Sequence, residues 1–208
     1  MDSEHLHWRY ATKQFDSKQV IPQPVLESLL ESLRLAPSSF GLQPWKFLVI
    51  RDLELRKKIQ SVAWNQTQVT ECSHLIVLCT LKDMDETYVK NFIKQTAETR
   101  AVSAESLAGY EQMMLGFLKN LSPGAKTDWM GRQIYLALGM LLAECAFRRI
   151  DACPMEGFDP NKFDGVMGLE KLGLKSVVLC PVGYRAGSDK HAGLKKIRFP
   201  SHEVFVHL

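Results

Sequence analysis

The stretch KTDWMGRQIYLALGMLLAECAFRR, residues 126–149, decides how the rest of the chain is read. Placed on a helix, its Trp129, Met130, Ile134, Tyr135, Leu136, Leu138, Met140, Leu141 and Leu142 nearly encircle the axis. A helix apolar all round is a membrane span, a central helix or an oligomer interface. The best membrane candidate, residues 133–143, stops at Glu144. That is well short of the roughly 18 apolar residues a span requires. The pattern therefore predicts the longest helix of the molecule, either a central one or an oligomer interface. Gly131 and Gly139 each cost about 1 kcal/mol against Ala in a helix, which predicts close helix contact at both.

Outward from this helix, helical and strand signals alternate without repeats or linker-like shifts in composition. Residues 24–35 place Val25, Leu26, Leu29, Leu30 and Leu33 on one helical face, with Pro24 in the first turn. Ala36-Pro37-Ser38-Ser39-Phe40-Gly41 breaks that helix, and residues 47–50 follow as a short strand. Residues 53–63 read as a helix entered from Asp52. Leu75-Ile76-Val77-Leu78-Cys79 is a continuous apolar run, as in a strand covered on both faces. Residues 85–99 and 103–120 are polar enough for exposed or mobile helices, and Ser122-Pro123-Gly124 reads as a turn. Downstream, residues 150–153 predict a strand and residues 162–167 a short helix entered through Asp159-Pro160. A third buried strand spans residues 176–180 and ends at Pro181, while Val204-Phe205-Val206 suits a short edge strand. Helices outweighing a few strands give an α+β chain in three layers, one sheet between helices.

Composition narrows the function classes. At 208 residues with 46% apolar content, the chain is globular and long enough to bury a core. Lys plus Arg (26) against Asp plus Glu (23) leaves +3, too little for a dedicated nucleic-acid binder. Met1-Asp2-Ser3-Glu4-His5 has neither a basic nor an apolar signal-peptide region, which points to the cytoplasm. Cys72, Cys79, Cys145, Cys153 and Cys180 are odd in number, form no Cys-x-x-Cys pair and mostly sit in apolar runs. They read as small buried residues in a reducing compartment, without a metal. His74, ahead of a buried strand, reads as a core histidine with a satisfied ring.

Four segments combine residue types that binding sites use. Arg9-Tyr10-Ala11-Thr12-Lys13 sets two cations four residues apart before any core element; by itself it also suits a solvated turn. Pro37-Ser38-Ser39-Phe40-Gly41-Leu42-Gln43-Pro44-Trp45 mixes hydroxyls, a glycine and two aromatics, as ligand loops do; the aromatics equally suit a cap on the core. Pro154-Met155-Glu156-Gly157-Phe158 holds a glycine that lets backbone approach a ligand, or forms an ordinary turn. Leu194-Lys195-Lys196-Ile197-Arg198-Phe199-Pro200 points Lys196 and Arg198 the same way, as a phosphate clamp or a basic solvated tail. No Walker loop, Gly-x-Gly-x-x-Gly, Gly-x-Ser-x-Gly or His-Glu-x-x-His is present. Any phosphate is therefore left to side chains.

In this order and at these separations, the segments resemble the FMN-dependent nitroreductase family, closest to its compact bacterial oxygen-insensitive branch. Arg9-Tyr10-Ala11-Thr12-Lys13-Gln14-Phe15, Pro37-Ser38-Ser39 with Gln43-Pro44-Trp45, Asp128-Trp129-Met130 through Gln133, residues 154–158 and Lys196-x-Arg198-x-Pro200 carry the likeness. It covers almost the whole chain. The resemblance implies one domain over residues 1–208, with a mostly antiparallel central sheet, in an intertwined homodimer with two FMN sites at the interface. Residues 83–120 would be the variable lid, and residues 200–208 a tail packed on the partner.

By the same resemblance, Arg9, Lys196 and Arg198 would hold the FMN phosphate. Tyr10, Ala11, Gly41, Gln68, Pro154 and Met155 would line the cofactor. Lys13 would place positive charge at the ring's pyrimidine edge, where it favours the reduced flavin. The backbone of Glu156 and Gly157 would reach toward N5. Pro37, Ser38, Ser39 and Gln133 would come from the other subunit. Asn65 would touch the ring edge, and Lys13, Phe40 and Asn65 would face the nicotinamide or acceptor. NADH or NADPH would reduce the flavin and then yield its place to a nitroaromatic or quinone, in ping-pong fashion.

Gln68 stands where close relatives often carry Lys, and Phe40-Gly41 replaces smaller or more polar residues, departures that bear on reduction potential and pocket width. Flavin or pteridine reduction, or reductive dehalogenation, on the same scaffold is the alternative chemistry; a flavin-binding sensor or interaction dimer is the non-enzymatic one.

Overall fold

A computed structural model describes residues 4–208. Residues 1–3, part of the stretch read for a targeting signal, lie outside it. In chain order the helices are α1 (Glu4–Trp8), α2 (Gln23–Arg34), α3 (Leu53–Val62), α4 (Gln68–Glu71), α5 (Glu86–Arg100), α6 (Ala108–Lys119), α7 (Pro123–Phe147), α8 (Pro160–Met167) and α9 (Ser201–Val204). The strands are β1 (Trp45–Ile50), β2 (His74–Leu81), β3 (Asp151–Ala152) and β4 (Leu174–Gly183). They form one antiparallel sheet in the order β1-β2-β4-β3.

The apolar run in β2 explains the layering. Alternate residues of a strand face opposite sides of its sheet. Ile76 and Leu78 join a core with α2 and α7, through Leu26, Leu29, Leu33, Ile134, Leu138 and Leu141. Leu75, Val77 and Cys79 join a second core with α3 and α8, through Ile59 and Phe163. The sheet thus lies between two helical layers, as the alternation predicted. His74 is buried with its Nδ1 2.9 Å from Ser73 Oγ, which accepts from Ile21 N–H at 2.8 Å. Burial holds its imidazole below the ordinary histidine range. All five cysteines are free and buried.

Helix entries follow the capping residues in the sequence. Asp52, Asp85 and Asp159 accept from Leu55, Tyr88 and Lys162 N–H. The same rule corrects the turn expected at residues 122–124. Ser122 is an N-cap that accepts from Ala125 N–H at 3.3 Å, and Pro123 occupies the first helical turn, where its missing N–H costs nothing. Helix α7 therefore runs 25 residues, about 38 Å at 1.5 Å per residue. Its outward Tyr135, Leu136, Met140 and Phe147 remain exposed. At Gly131 and Gly139 an added Cβ would meet nothing within 4 Å, so the close contacts expected there are absent from this protomer.

Three further expectations change. Strand β4 continues through Pro181, because the prolyl nitrogen falls on the side of the two-residue β3, where only the Pro181 carbonyl is used, by Cys153 N–H at 3.0 Å. The tail at Val204 forms a helical turn where an edge strand was expected. Helices α5 and α6, expected to be exposed or mobile, enclose a third buried cluster of Met84, Val89, Ile93, Met114, Leu118, Trp129 and Met130. Ala101 ends α5 in the left-handed conformation, and the turn Glu105–Leu107 leads into α6. Among the described residues no helix is long and apolar enough to cross a membrane.

Leu141 is fully buried where α7 meets α2 and the sheet. Leu141→Ala is expected to cost about 2–5 kcal/mol through lost burial and the cavity left behind, read as a lower urea midpoint at unchanged slope.

Candidate functional site

The segment after α1 is held along the edge of the sheet. Ala11 bridges Ala152 in parallel, and buried Thr12 donates through Oγ1 to Asp151 Oδ1 at 3.2 Å. Asp151 also binds the guanidinium of Arg185, which lies 4.2 Å from the Trp8 ring centroid and 4.6 Å from that of Tyr10. This strap brings Arg9 beside the C-terminal basic segment: Lys196 Nζ donates to the Arg9 carbonyl. Arg9, Tyr10 and Ala11 line one cavity of about 450 Å³ with Lys196 and Arg198. Burial, then the charges of Arg9 and Arg198, hold the Lys196 amine below its ordinary range. Among the described residues, no acidic side chain lies within ion-pair distance of Arg9, Lys13, Lys196 or Arg198. Arg9, Lys196 and Arg198, with Lys195 also on the cavity wall and no carboxylate paired to the three, suit a phosphate, which supplies the missing negative charge.

Lys13 points onward to the next segment. Burial raises the Cys153 thiol above its usual range and the nearby Lys13 charge opposes that rise. Cys153 leads into Pro154 and Met155, the latter pairing with Leu179. Tyr135 O–H donates to Glu156 Oε1, and burial with that bond pushes the phenol up to about 12. The Gly157 carbonyl accepts from Gln66 Nε2 at 2.7 Å. A Cβ at Gly157 would lie 2.9 Å from Gln66 Nε2 and 3.0 Å from the Trp64 ring, so any larger residue would make both side chains give way. Trp64 and Asn65 both have positive φ, and Gln68 is buried at the start of α4. Arg9, Tyr10, Ala11, Lys13, residues 154–157 and Asn65 therefore form one continuous neighbourhood.

Pro37, Ser38 and Ser39 form a second one. Ser39 N–H donates to Gln133 Oε1 at 2.8 Å, and Gln133 Nε2 donates to the Trp129 carbonyl at 3.0 Å. Phe40, Gly41 and Gln43 take φ of 54°, 67° and 48°. For bulky Phe40 that backbone costs on the order of 1–3 kcal/mol. Two phenols, from α5 and α6, hold it. Tyr110 donates to the Phe40 carbonyl at 2.6 Å, and Tyr88 donates to the Leu42 and Gln43 carbonyls at 2.8 and 2.9 Å. Phe40 packs on Phe117 with ring centroids 5.1 Å apart. The phosphate-end cavity contains none of Pro37, Ser38, Ser39 or Gln133.

Sequence reasoning missed the groups that hold these segments in place: Asp151 with Arg185, the phenols Tyr88 of α5 and Tyr110 of α6, and Asp189. Asp189 opens the turn Lys190–Gly193 and accepts from Tyr10 O–H and from the N–H groups of Lys13, Gln14 and His191. Burial alone would raise its pKa, but these bonds outweigh burial and hold the carboxyl well below the usual range. Asp189 stands in a polar stretch without a motif around it, so its spacing carried no signal.

The family model for the nitroreductase family matches residues 6–184. The chain belongs to the nitroreductase family. An oxygen-insensitive NAD(P)H nitroreductase of Salmonella typhimurium is 32% identical over 200 residues, covering 92% of this chain and 92% of the relative. A candidate NAD(P)H nitroreductase of Staphylococcus epidermidis is 32% identical over 204 residues, 91% of this chain and 90% of that one. A candidate nitroreductase from Exiguobacterium sibiricum, solved in complex with FMN, superimposes with a TM-score of 0.87 at 23% identity, covering 100% of this chain and 98% of that one. The architecture described above is thus the nitroreductase fold.

Two outcomes follow from this geometry. Tyr110→Phe strands the Phe40 carbonyl and is expected to cost about 1 kcal/mol, with faster amide exchange confined to residues 38–43. The depressed Asp189 carboxyl stabilises the fold fully above its unfolded pKa near 3.8, and that stability is lost as pH falls toward the lower folded value. Acid unfolding followed by circular dichroism is expected to be shallower in Asp189→Asn than in the parent.

Proposed function

We propose that the chain is an FMN-dependent NAD(P)H oxidoreductase that works as a homodimer and reduces nitroaromatics, quinones or similar small acceptors in a ping-pong cycle. The observation that carries this reading is the convergence of Arg9, Lys196 and Arg198, without acidic partners, at the end of the strap that also bears Lys13. Family membership and the FMN held by the Exiguobacterium relative support the same assignment.

Bound FMN supplies the redox chemistry, accepting hydride from the nicotinamide and passing electrons to the acceptor. The protein's part is binding and electrostatics. Arg9, Lys196 and Arg198 hold the phosphate. Lys13 sets a positive charge at the ring's polar edge, stabilising negative charge that develops there on reduction. Tyr10 and Ala11 pack beside the phosphate end, and Pro154 and Met155 carry the chain to Glu156 and Gly157. The Gln66 bond to the Gly157 carbonyl steadies that backbone against the hydride-accepting edge. Asn65 and Gln68 border the ring, Gln68 without the charge a lysine would bring. No side chain is assigned as a proton-transferring catalyst.

The second neighbourhood enters across the dimer interface. The partner subunit's Pro37, Ser38, Ser39 and Gln133 complete the pocket, with the lid at residues 83–120 setting its outer wall through Phe40 and Gly41. Supporting this are the apolar outward face of α7 and a tail whose Ile197, Phe199, Phe205 and Val206 are 88%, 78%, 63% and 80% exposed in one protomer. Residues 200–208 are assigned to the partner's surface. Five buried free thiols suit a reducing cytoplasm.

The test is a visible spectrum of the purified protein before and after anaerobic NADH and then NADPH. Flavin bands that bleach support the reading; a colourless protein that refuses added FMN overturns it. Arg198→Ala removes one charge-assisted contact of about 1.5–3 kcal/mol and is expected to weaken FMN binding by about 10- to 150-fold.

A further inference from the structure

The cations at and beside the proposed phosphate cavity come from two segments nearly two hundred residues apart, and neither lies in a strand or a long helix. Arg9 and Lys13 belong to the strap after α1; Lys196 and Arg198 follow the turn Lys190–Gly193. Beyond the single bond from Lys196 Nζ to the Arg9 carbonyl, their spacing therefore depends on what joins strap to turn. Asp189 does so with a side chain that is fully buried. Its two oxygens divide the work. Oδ2 accepts from Tyr10 O–H at 2.8 Å, Lys13 N–H at 2.8 Å and Gln14 N–H at 3.2 Å, all on the strap. Oδ1 accepts from His191 N–H at 3.0 Å and lies 3.2 Å from His191 Nδ1, both on the turn.

We propose that Asp189 is a positioning residue for the cofactor: it fixes the phosphate clamp by locking the Arg9–Lys13 strap to the turn that leads to Lys196 and Arg198. This rests on the flavin reading above. Only a side chain with acceptors at both ends serves both sets of donors. An asparagine has one carbonyl oxygen, so whichever way the amide turns, its NH₂ confronts backbone N–H groups on one side. Strap or turn is then released. Other bonds between the strap and the C-terminal part of the chain survive this change: Ala186 N–H to the Gln14 carbonyl at 2.9 Å, Asp16 N–H to the Tyr184 carbonyl at 2.8 Å, Ser188 Oγ to Gln14 Oε1 at 3.0 Å, and Lys196 Nζ to the Arg9 carbonyl. The variant therefore keeps a route to the native fold while losing the geometry of the clamp.

Charge and position predict opposite results. Asp189→Asn removes a negative charge near the cationic cavity, and by Coulomb attraction alone this tightens an anion. If Asp189 acts by position, the anion binds more weakly instead. Riboflavin, which lacks the phosphate, separates clamp from ring pocket. Fluorescence titrations with FMN and riboflavin are to be run on the parent, Asp189→Asn, Asp189→Glu and Tyr10→Phe. Asp189→Asn is expected to weaken FMN about tenfold, the worth of one charged hydrogen bond, and to leave riboflavin within about twofold. Asp189→Glu, with both acceptors retained, is expected to recover part of the FMN affinity. Tyr10→Phe, which removes one donor and no charge, tests the same link if Asp189→Asn does not fold, with a smaller loss confined to FMN.

Unchanged or tighter FMN in Asp189→Asn overturns the proposal. So does an equal loss for FMN and riboflavin, which marks a general structural role. A parent protein that binds neither flavin overturns the flavin reading itself, a result distinct from either.

Discussion

Strand β2 is buried on both of its faces, and the rest of the architecture answers to that constraint. Its residues from His74 to Thr80 are all inaccessible, so the sheet needs a helical layer on each side. Helices α2 and α7 supply one layer, and α3 and α8 the other. With both faces occupied, only the sheet's rims and the connections between layers remain for binding. Most of the candidate site residues lie there: the strap along β3, the chain leaving β3, the loop between α2 and β1, the turn between α3 and α4, and the segment after β4, with Gln68 and Gln133 added from α4 and α7. A fully enclosed core thus displaces function to pieces of backbone with little secondary structure of their own.

Such pieces need anchors, and the anchors here are buried or half-buried polar side chains that saturate backbone groups. Asp151 receives Thr12, the Arg185 backbone and the Arg185 guanidinium. Asp189 receives the strap and the turn. Tyr88 and Tyr110 take up three carbonyls of the strained loop. Each substitutes for the ladder hydrogen bonds that a strand or helix would supply. The burial cost of each is offset because most of its hydrogen-bonding capacity is used.

This division explains what was legible in the sequence. Elements with a strong period, such as β2 and α2, and helix entries with a side-chain cap could be read from local pattern alone. The segments around Arg9, Ser38, Gly157 and Lys196 were legible as combinations of residue types, and then as a family resemblance. Asp189, Asp151 and Tyr110 were not, because their roles depend on partners 176, 139 and 70 residues distant. Pro181 misled because proline usually ends a strand, and the exception depends on how short its neighbour β3 is. Ser122-Pro123-Gly124 misled because the same residues serve a turn or a capped helix start, and only the continuation of the helix decides.

The two-part character of the site also bears on stability. Lys196 is held below its ordinary range by burial and by Arg9 and Arg198, so the cation cluster opposes folding as it stands. A phosphate bound there offsets that cost, because its attraction to each cation is added to their mutual repulsion. Any ligand bound by the native state alone adds stability that grows with its concentration, about 2.7 kcal/mol at a hundredfold excess over its dissociation constant. The outward apolar face of α7 and the exposed tail bear on the same balance: each is a cost to the lone protomer that association, on the proposed homodimer reading, removes. On the proposed reading, cofactor and partner cover what the single chain leaves unfavourable, and folding, assembly and cofactor loading become coupled through the same few side chains.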